Sequence, residues 1–100
     1  MAAKLEKSEI ERRLSALPGW EYKDNAISKL YRFKEFMDGI RFLNKVAEIA
    51  EAGDHHPDVM KIEYTRITFS CSTHDQGGVV SEKDFKLASQ LEEAFKAYAG

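Results

Sequence analysis

The chain has 100 residues, 43% of them hydrophobic and 32% charged, which is the balance of one globular domain spanning residues 1–100. Fifteen Lys and Arg against seventeen Asp and Glu give a net charge of −2, which argues against direct nucleic-acid binding because that needs an excess of positive charge. One cysteine, no apolar N-terminal run and no stretch of bilayer length predict a cytoplasmic protein without disulfides or a membrane segment.

The first helix and the first two strands are indicated by local signals. Ser8 and Glu11 match a capping box, which predicts a helix that begins there. This helix must end before Pro18, because proline disfavours helical geometry in the residue ahead of it. Residues 20–22 and 26–33 then have the composition of two strands joined by a short turn.

From residue 34 to residue 52 the apolar positions recur at intervals of three and four, which predicts a long helix. The predicted buried stripe consists of Phe36, Ile40, Leu43, Ala47 and Ala50. A second apolar row lies beside it and consists of Phe42, Val46 and Ile49. This surplus fits either packing against another subunit or a thicker internal core. Gly53 is expected to end the helix in a left-handed cap.

Two alternating patterns then predict a tight antiparallel hairpin, followed by a last helix capped by Ser81. The sides expected to be buried are Met60, Ile62 and Tyr64 on the first strand and Ile67, Phe69 and Cys71 on the second. The complete order is α-β-β-α-β-β-α. It predicts an α+β domain with a four-stranded antiparallel sheet and helices packed on one face.

All three histidines are expected at one edge of the sheet. His55 and His56 come between the long helix and the hairpin, and His74 follows the second hairpin strand. Glu51, four residues before His55, is placed to reach that imidazole, and Asp54 is adjacent. Both carboxylates and the helix C-terminus favour the imidazolium, whereas desolvation in a pocket would oppose it. Histidines that titrate near neutrality are suited to acid–base catalysis.

Other interpretations of the histidines are a solvated surface loop or a three-histidine zinc site. Zinc is disfavoured because side chains of adjacent residues in extended chain diverge, and no further ligand shows metal-site spacing. Cys71 alternates with apolar neighbours, which predicts a buried small side chain and not a nucleophile.

The run from Glu51 through Asp54-His55-His56-Pro57, followed by Ser72-Thr73-His74, resembles the pterin-4a-carbinolamine dehydratases. The resemblance extends from the Leu17-Pro18-Gly19-Trp20 run to the start of the last helix, where Lys83 stands in place of a common arginine. Val59 and Met60 also stand where many relatives carry an aromatic residue. These departures lie at the rim of the pocket and bear on the preference for particular pterin side chains.

The resemblance implies a hydro-lyase that converts 4a-hydroxytetrahydrobiopterin, or a related 4a-hydroxytetrahydropterin, to the quinonoid dihydropterin during tetrahydrobiopterin recycling. It implies no redox step, hence no cofactor and no metal. His55, His56 and His74 would be the catalytic residues: His55 and His56 would move protons, and His74 would orient the leaving hydroxyl and share that work. The same three residues would bind the pterin together with Glu51, Asp54, Ser72, Thr73, Asp75 and Asp84. Asp84 is expected at the rim of the pocket.

The resemblance also implies partners. A homodimer or homotetramer is expected. Animal members act as a dimerisation cofactor of a homeodomain transcription factor, so the alternative function is that of a protein-binding coactivator, which would add the nucleus to the cytoplasm as a location.

Overall fold

The computed structural model describes residues 4–74 and 78–98, and these contain three helices and four strands in the predicted order. The helices are α1 (Lys7–Leu14), α2 (Phe36–Gly53) and α3 (Glu82–Phe95). The strands are β1 (Glu21–Lys23), β2 (Ala26–Arg32), β3 (Val59–Glu63) and β4 (Arg66–Cys71). They form one antiparallel sheet in the order β1-β2-β4-β3. The α+β fold is therefore as predicted.

The core lies between the sheet and the helices. The alternation of β4 buries Ile67, Phe69 and Cys71 completely, as the sequence predicts. Phe42 of α2 packs against Tyr31, Phe69 and Phe95, with ring centroids 5.2–5.7 Å apart. The opposite face of β4 carries Thr68, Ser70 and Ser72, which belong to the hydroxyl-rich side of the sheet.

The predicted capping box at Ser8 is wrong. Helix α1 begins at Lys7, its N-cap is Glu6, and no side chain caps it. Tertiary pairing explains the difference, because the Leu5 amide donates to the Val80 carbonyl at 3.0 Å and a β-bridge joins Lys4 to Ser81. The chain is thus anchored before it enters the helix.

The predicted end of α2 is also wrong by one residue. Gly53 is still helical, and Asp54 takes the left-handed conformation with φ of 51°. Aspartate tolerates this region better than most residues do. The Asp54 amide donates to the carbonyls of Ala50 and Glu51, which closes the helix and turns the chain toward the histidines.

Helix α2 is rotated relative to the predicted stripe. Phe42 and Val46 of the second row are fully buried, and Ala50 of the predicted stripe is buried as expected, whereas Phe36 is 43% exposed and Ala47 is also exposed. Gly39 is consistent with the rotation: a Cβ there would lie 3.2 Å from the Ile67 Cδ1 atom, closer than an ordinary van der Waals contact, so glycine favours this close approach of the helix to the sheet. The second apolar row therefore thickens the internal core.

Strand β3 is not half-buried as predicted, since all five of its residues are exposed. Among the described strands it pairs only with β4, and it forms one edge of the sheet. Tyr64, also expected to be buried, lies in the hairpin turn with 75% of its surface exposed. Within residues 4–74 and 78–98, no helix has the length and apolar character that a membrane span requires.

Candidate active site

A cavity of about 330 Å³ lies where the end of α2 meets the open end of the β3–β4 hairpin. The segment after α2 brings in His55 and His56, and the segment after β4 brings in His74. The cavity is lined by Asp54, His55, His56, Pro57, Asp58, Ser72, Thr73, His74 and Lys83. The structure thus brings the three histidines together at the edge of the sheet where β3 begins and β4 ends.

His55 is held by a buried carboxylate. Its Nε2 atom lies 2.7 Å from the Oδ1 atom of Asp84, whose side chain is completely buried. The other Asp84 oxygen accepts from the Thr73 hydroxyl and from the Ser81 amide, both at 2.9 Å. Asp84 is therefore behind His55 and does not line the cavity, so its predicted position at the rim is wrong.

His56 pairs with Glu51, with 3.2 Å between Nε2 and the Glu51 Oε1 atom. The expected contact of Glu51 with His55 is therefore wrong. The left-handed turn at Asp54 explains it, because it directs His55 toward α3 and leaves His56 over the last turn of α2. Both side chains of the His56–Glu51 pair are more than half exposed.

His74 pairs with Asp58, with 2.5 Å between Nε2 and the Asp58 Oδ1 atom. The Ser72 hydroxyl donates to the second oxygen of Asp58. The Asp58 amide donates to the Ser70 carbonyl at 2.7 Å, which fixes the residue at the start of β3. The hydrogen bond and the charge of Asp58 together hold the pKa of His74 above its ordinary value.

All three imidazoles thus present the same ring atom to a carboxylate. An ionised carboxylate only accepts hydrogen bonds, so Nε2 carries a hydrogen in each pair. The second ring nitrogen, Nδ1, has no hydrogen-bond partner among the described residues. It can accept a proton in the neutral ring and donate one in the imidazolium.

The structure describes three of the remaining predicted site residues, and it adds one that was not predicted. Asp54, Ser72 and Thr73 line the cavity, and the last two are buried. Asp75 lies outside the described residues. Asp58 was missed, although its position directly after His55-His56-Pro57 and directly before β3 was a usable signal.

The thiol of Cys71 and the question of a metal site also bear on the chemistry of the cavity. Cys71 is fully buried as predicted, and burial raises the pKa of its thiol. In the part of the chain that the structure describes, no three His, Cys, Asp or Glu side chains form a group that could hold a metal ion.

Residues 3–94 match the family described as Pterin 4 alpha carbinolamine dehydratase. A relative from Picosynechococcus is 44% identical over 93% of this chain and 99% of its own length. A relative from Sulfolobus acidocaldarius is 43% identical over 88% of this chain and 94% of its own length. Both are named as pterin-4-alpha-carbinolamine dehydratases, an activity that their names mark as provisional.

Solved structures share the fold. A protein from Brucella melitensis, described as a transcriptional coactivator/pterin dehydratase, is 33% identical and superposes with a TM-score of 0.86 over 92% of this chain and 98% of its own. A pterin dehydratase-like protein identified as a RuBisCO assembly factor is 17% identical and has a TM-score of 0.62 over 75% of this chain and 84% of its own. The second likeness shows the fold alone.

Proposed function

This chain belongs to the pterin 4 alpha carbinolamine dehydratase family, and we propose that it removes water from a 4a-hydroxytetrahydropterin by histidine acid–base catalysis. The observation that carries the proposal is the set of three histidine–carboxylate pairs around one cavity. A dehydration needs groups that donate and accept protons, and imidazole is the side chain suited to this near neutral pH.

The reaction breaks one bond to carbon and forms one double bond. The C4a hydroxyl takes up a proton and leaves as water, the N5–H bond gives up its proton, and a C4a=N5 double bond forms. Atoms balance as the loss of one water, and no oxidant or reductant is needed. His55 and His56 exchange these protons through Nδ1, and His74 in its imidazolium form donates to the departing hydroxyl.

The buried and exposed pairs suit different tasks. His55 is 15% exposed and its partner Asp84 is fully buried, so the orientation of this ring is fixed by packing. His56 and His74 are more exposed and can adjust to the substrate. Asp54, Ser72 and Thr73 offer hydrogen bonds to the polar edge of the pterin, and Asp75 remains a predicted contributor.

The test is turnover of a 4a-hydroxytetrahydropterin generated in the assay by a pterin-dependent aromatic hydroxylase and followed by absorbance. We expect dehydration without added metal and a loss of about 10²-fold or more in kcat for His56→Ala. Undiminished turnover by that variant would remove His56 from the mechanism. Loss of activity with a chelator and its recovery with zinc would contradict the metal-free reaction.

The physiological role follows from the product. A quinonoid dihydropterin is the species that a reductase returns to the tetrahydropterin, so we place the reaction in the recycling of tetrahydrobiopterin or of a related pterin. A strain that depends on a pterin-requiring hydroxylase should lose hydroxylated product when this protein is deleted, and His56→Ala should fail to restore it.

A homodimer or homotetramer is part of the proposal. Strand β3 has an edge with which no strand in residues 4–74 and 78–98 pairs, and it exposes Val59, Met60 and Ile62. Next to it, Tyr64 stacks on Phe36 with ring centroids 6.4 Å apart. A second copy that pairs with β3 would cover this apolar edge.

Binding of a transcription factor is the second candidate function, favoured by the description of the Brucella melitensis structure as a coactivator. The two functions separate in one experiment. If His56→Ala abolishes dehydration and leaves the biological role intact, binding is the function that matters in the cell.

A further inference from the structure

The open face of the sheet carries a groove of about 500 Å³ next to the histidine cavity. Asp58, Ser72 and His74 line both the groove and the cavity. The two spaces therefore adjoin each other at these three residues, and a ligand bound among the histidines lies next to the groove.

Hydroxyl groups line this groove. The two-residue period of a strand places Thr68, Ser70 and Ser72 on the same face of β4. The antiparallel register sets Ser28 of β2 beside Ser70. Hydroxyls both donate and accept hydrogen bonds, so this lining matches a ligand segment that itself carries hydroxyls.

The end of the groove is also polar. Lys23 of β1 and Asn25 of the following turn contribute to its lining. Asn25 is held in the left-handed conformation with φ of 60°, and its side-chain oxygen accepts from the Tyr22 hydroxyl at 3.3 Å. A chain of a few atoms that leaves the cavity thus meets hydrogen-bonding groups along its whole path.

The chemistry of the substrate indicates which of its groups lies here. In a pterin, C6 bears the side chain and is bonded to N5, and N5 is bonded to C4a, where the hydroxyl leaves. C6 is therefore bonded directly to N5 and lies two bonds from C4a, so imidazoles that act at C4a and N5 are close to the start of the side chain. The side chain must leave the cavity beside a histidine, and His74 lies at the junction of cavity and groove.

We propose that this groove binds the C6 substituent of the pterin and selects a hydroxylated chain over a simple alkyl group. The inference rests on the proposed dehydratase function. Ser28, Thr68 and Ser70 are then specificity-determining residues that lie outside the histidine cluster.

The test compares two substrates that differ only at C6, one with a 1,2-dihydroxypropyl chain and one with a methyl group. We expect the unmodified protein to prefer the dihydroxypropyl substrate by about tenfold or more in kcat/KM, mainly through KM. Removing both hydroxyls with the double variant Thr68→Val, Ser70→Ala should reduce that preference by about threefold or more. Ser89→Ala, on the exposed face of α3, is the matched control and should keep the full preference.

Binding of the two corresponding 7,8-dihydropterins, which are stable, gives a readout independent of turnover. Their Kd ratio should show the same preference and the same loss in the double variant. Equal kcat/KM for both substrates, or a preference that survives in the double variant, would contradict the proposal that the groove binds the C6 substituent. Neither result would contradict the dehydratase assignment. Turnover of neither substrate would instead overturn the dehydratase assignment and, with it, the groove.

Discussion

Asp58 sets the protonation of His74, the most exposed of the three imidazoles. The imidazole is 71% exposed, so its partner and not burial governs its titration. Asp58 raises the pKa of His74 above the ordinary 6.5 through a hydrogen bond and its charge. The contribution of the His74–Asp58 pair to the stability of the fold is therefore fully present below the ordinary pKa of 6.5. It is lost as the pH rises through the pKa that His74 has in the folded protein.

We expect Asp58→Asn to lower the pKa of His74, because the variant loses the negative charge and keeps the shape of the side chain. The midpoint of the His74 ring-proton shift in an NMR titration measures it. In the pH profile of kcat/KM, the limb that reports His74 should move to lower pH in the variant. Asp38→Asn, which removes a carboxylate paired with Arg41 on α2, is the control. A midpoint at the ordinary value in the unmodified protein would contradict the pairing.

The histidine cluster could be predicted from sequence, but its carboxylate partners could not. Hairpin topology alone brings the ends of β3 and β4 together, and with them His56 and His74. The partners depend instead on one backbone conformation, the left-handed Asp54, which exchanges the expected Glu51–His55 contact for Glu51–His56. Asp84 is 29 residues from His55, so only the packed structure shows their contact.

At the scale of elements, the start of α3 belongs to both the fold and the site. The Ser81 hydroxyl accepts from the Lys83 amide at 3.2 Å, and Asp84 accepts from the Ser81 amide, which completes a capping box. The same Asp84 carboxylate orients His55. The cap that begins the helix therefore also positions a catalytic candidate.

We expect Ser81→Ala to lower the free energy of unfolding by about 1 kcal/mol, the usual cost of losing an N-cap. Asp84→Ala should cost about 3 kcal/mol or more, because three donors, two of them buried, then lose their acceptor. Urea unfolding measures both, and Ser89→Ala is the surface control. Equal costs for the two variants would show that Asp84 does no more than cap the helix.

A second polar cluster ties α3 to the sheet. One oxygen of Glu92 accepts hydrogen bonds from Lys29 at 2.8 Å, from Trp20 at 3.2 Å and from Tyr31. Burial pushes the pKa of the Glu92 carboxyl up, but the three hydrogen bonds outweigh it and leave that pKa below its ordinary value. Ionised Glu92 therefore stabilises the folded state.

We expect Glu92→Gln to lower the free energy of unfolding at pH 7 and to flatten its pH dependence. In the unmodified protein the Glu92 contribution is fully present above the ordinary carboxyl value of 4.5 and is lost as the pH falls through the lowered pKa. Urea unfolding at a series of pH values measures it. The neighbouring Glu93 pairs with Lys96 at the surface, so Glu93→Gln is a matched control and should change little. Equal pH profiles for the two variants would contradict the role of Glu92.

Most elements could be predicted from sequence because their burial follows a simple period. The alternation of β4 has that property. The start of α3 is predictable for a different reason, because Ser81 and Asp84 stand three residues apart, which is the spacing of a capping box. Helix α2 has two adjacent apolar rows, and periodicity cannot decide which of them faces the sheet. The structure shows the choice: Gly39 lies close to Ile67 of the sheet, and Phe42 and Val46 are fully buried.

At the scale of the whole molecule, the two edges of the sheet differ in a way that bears on assembly. Strand β1 has only three residues and carries charges at Glu21 and Lys23, and both features disfavour pairing with a strand of another molecule. Strand β3 has five residues and exposes apolar side chains. A second copy is therefore expected on the β3 side.

We expect light scattering to give a mass of at least twice 11.4 kDa for the unmodified protein, and Ile62→Lys to shift it toward the monomer. Ile62 is 38% exposed on β3, and a lysine there would place an ammonium in the apolar edge that the second copy covers. Glu21→Lys makes the matched change on the β1 edge and should leave the mass unchanged. A monomeric unmodified protein would contradict the oligomer, whereas an oligomer insensitive to Ile62→Lys would move the interface away from β3. The three histidines proposed to be catalytic follow α2 and β4 rather than lying within β3, so a monomeric Ile62→Lys variant should retain the cavity and the proposed turnover.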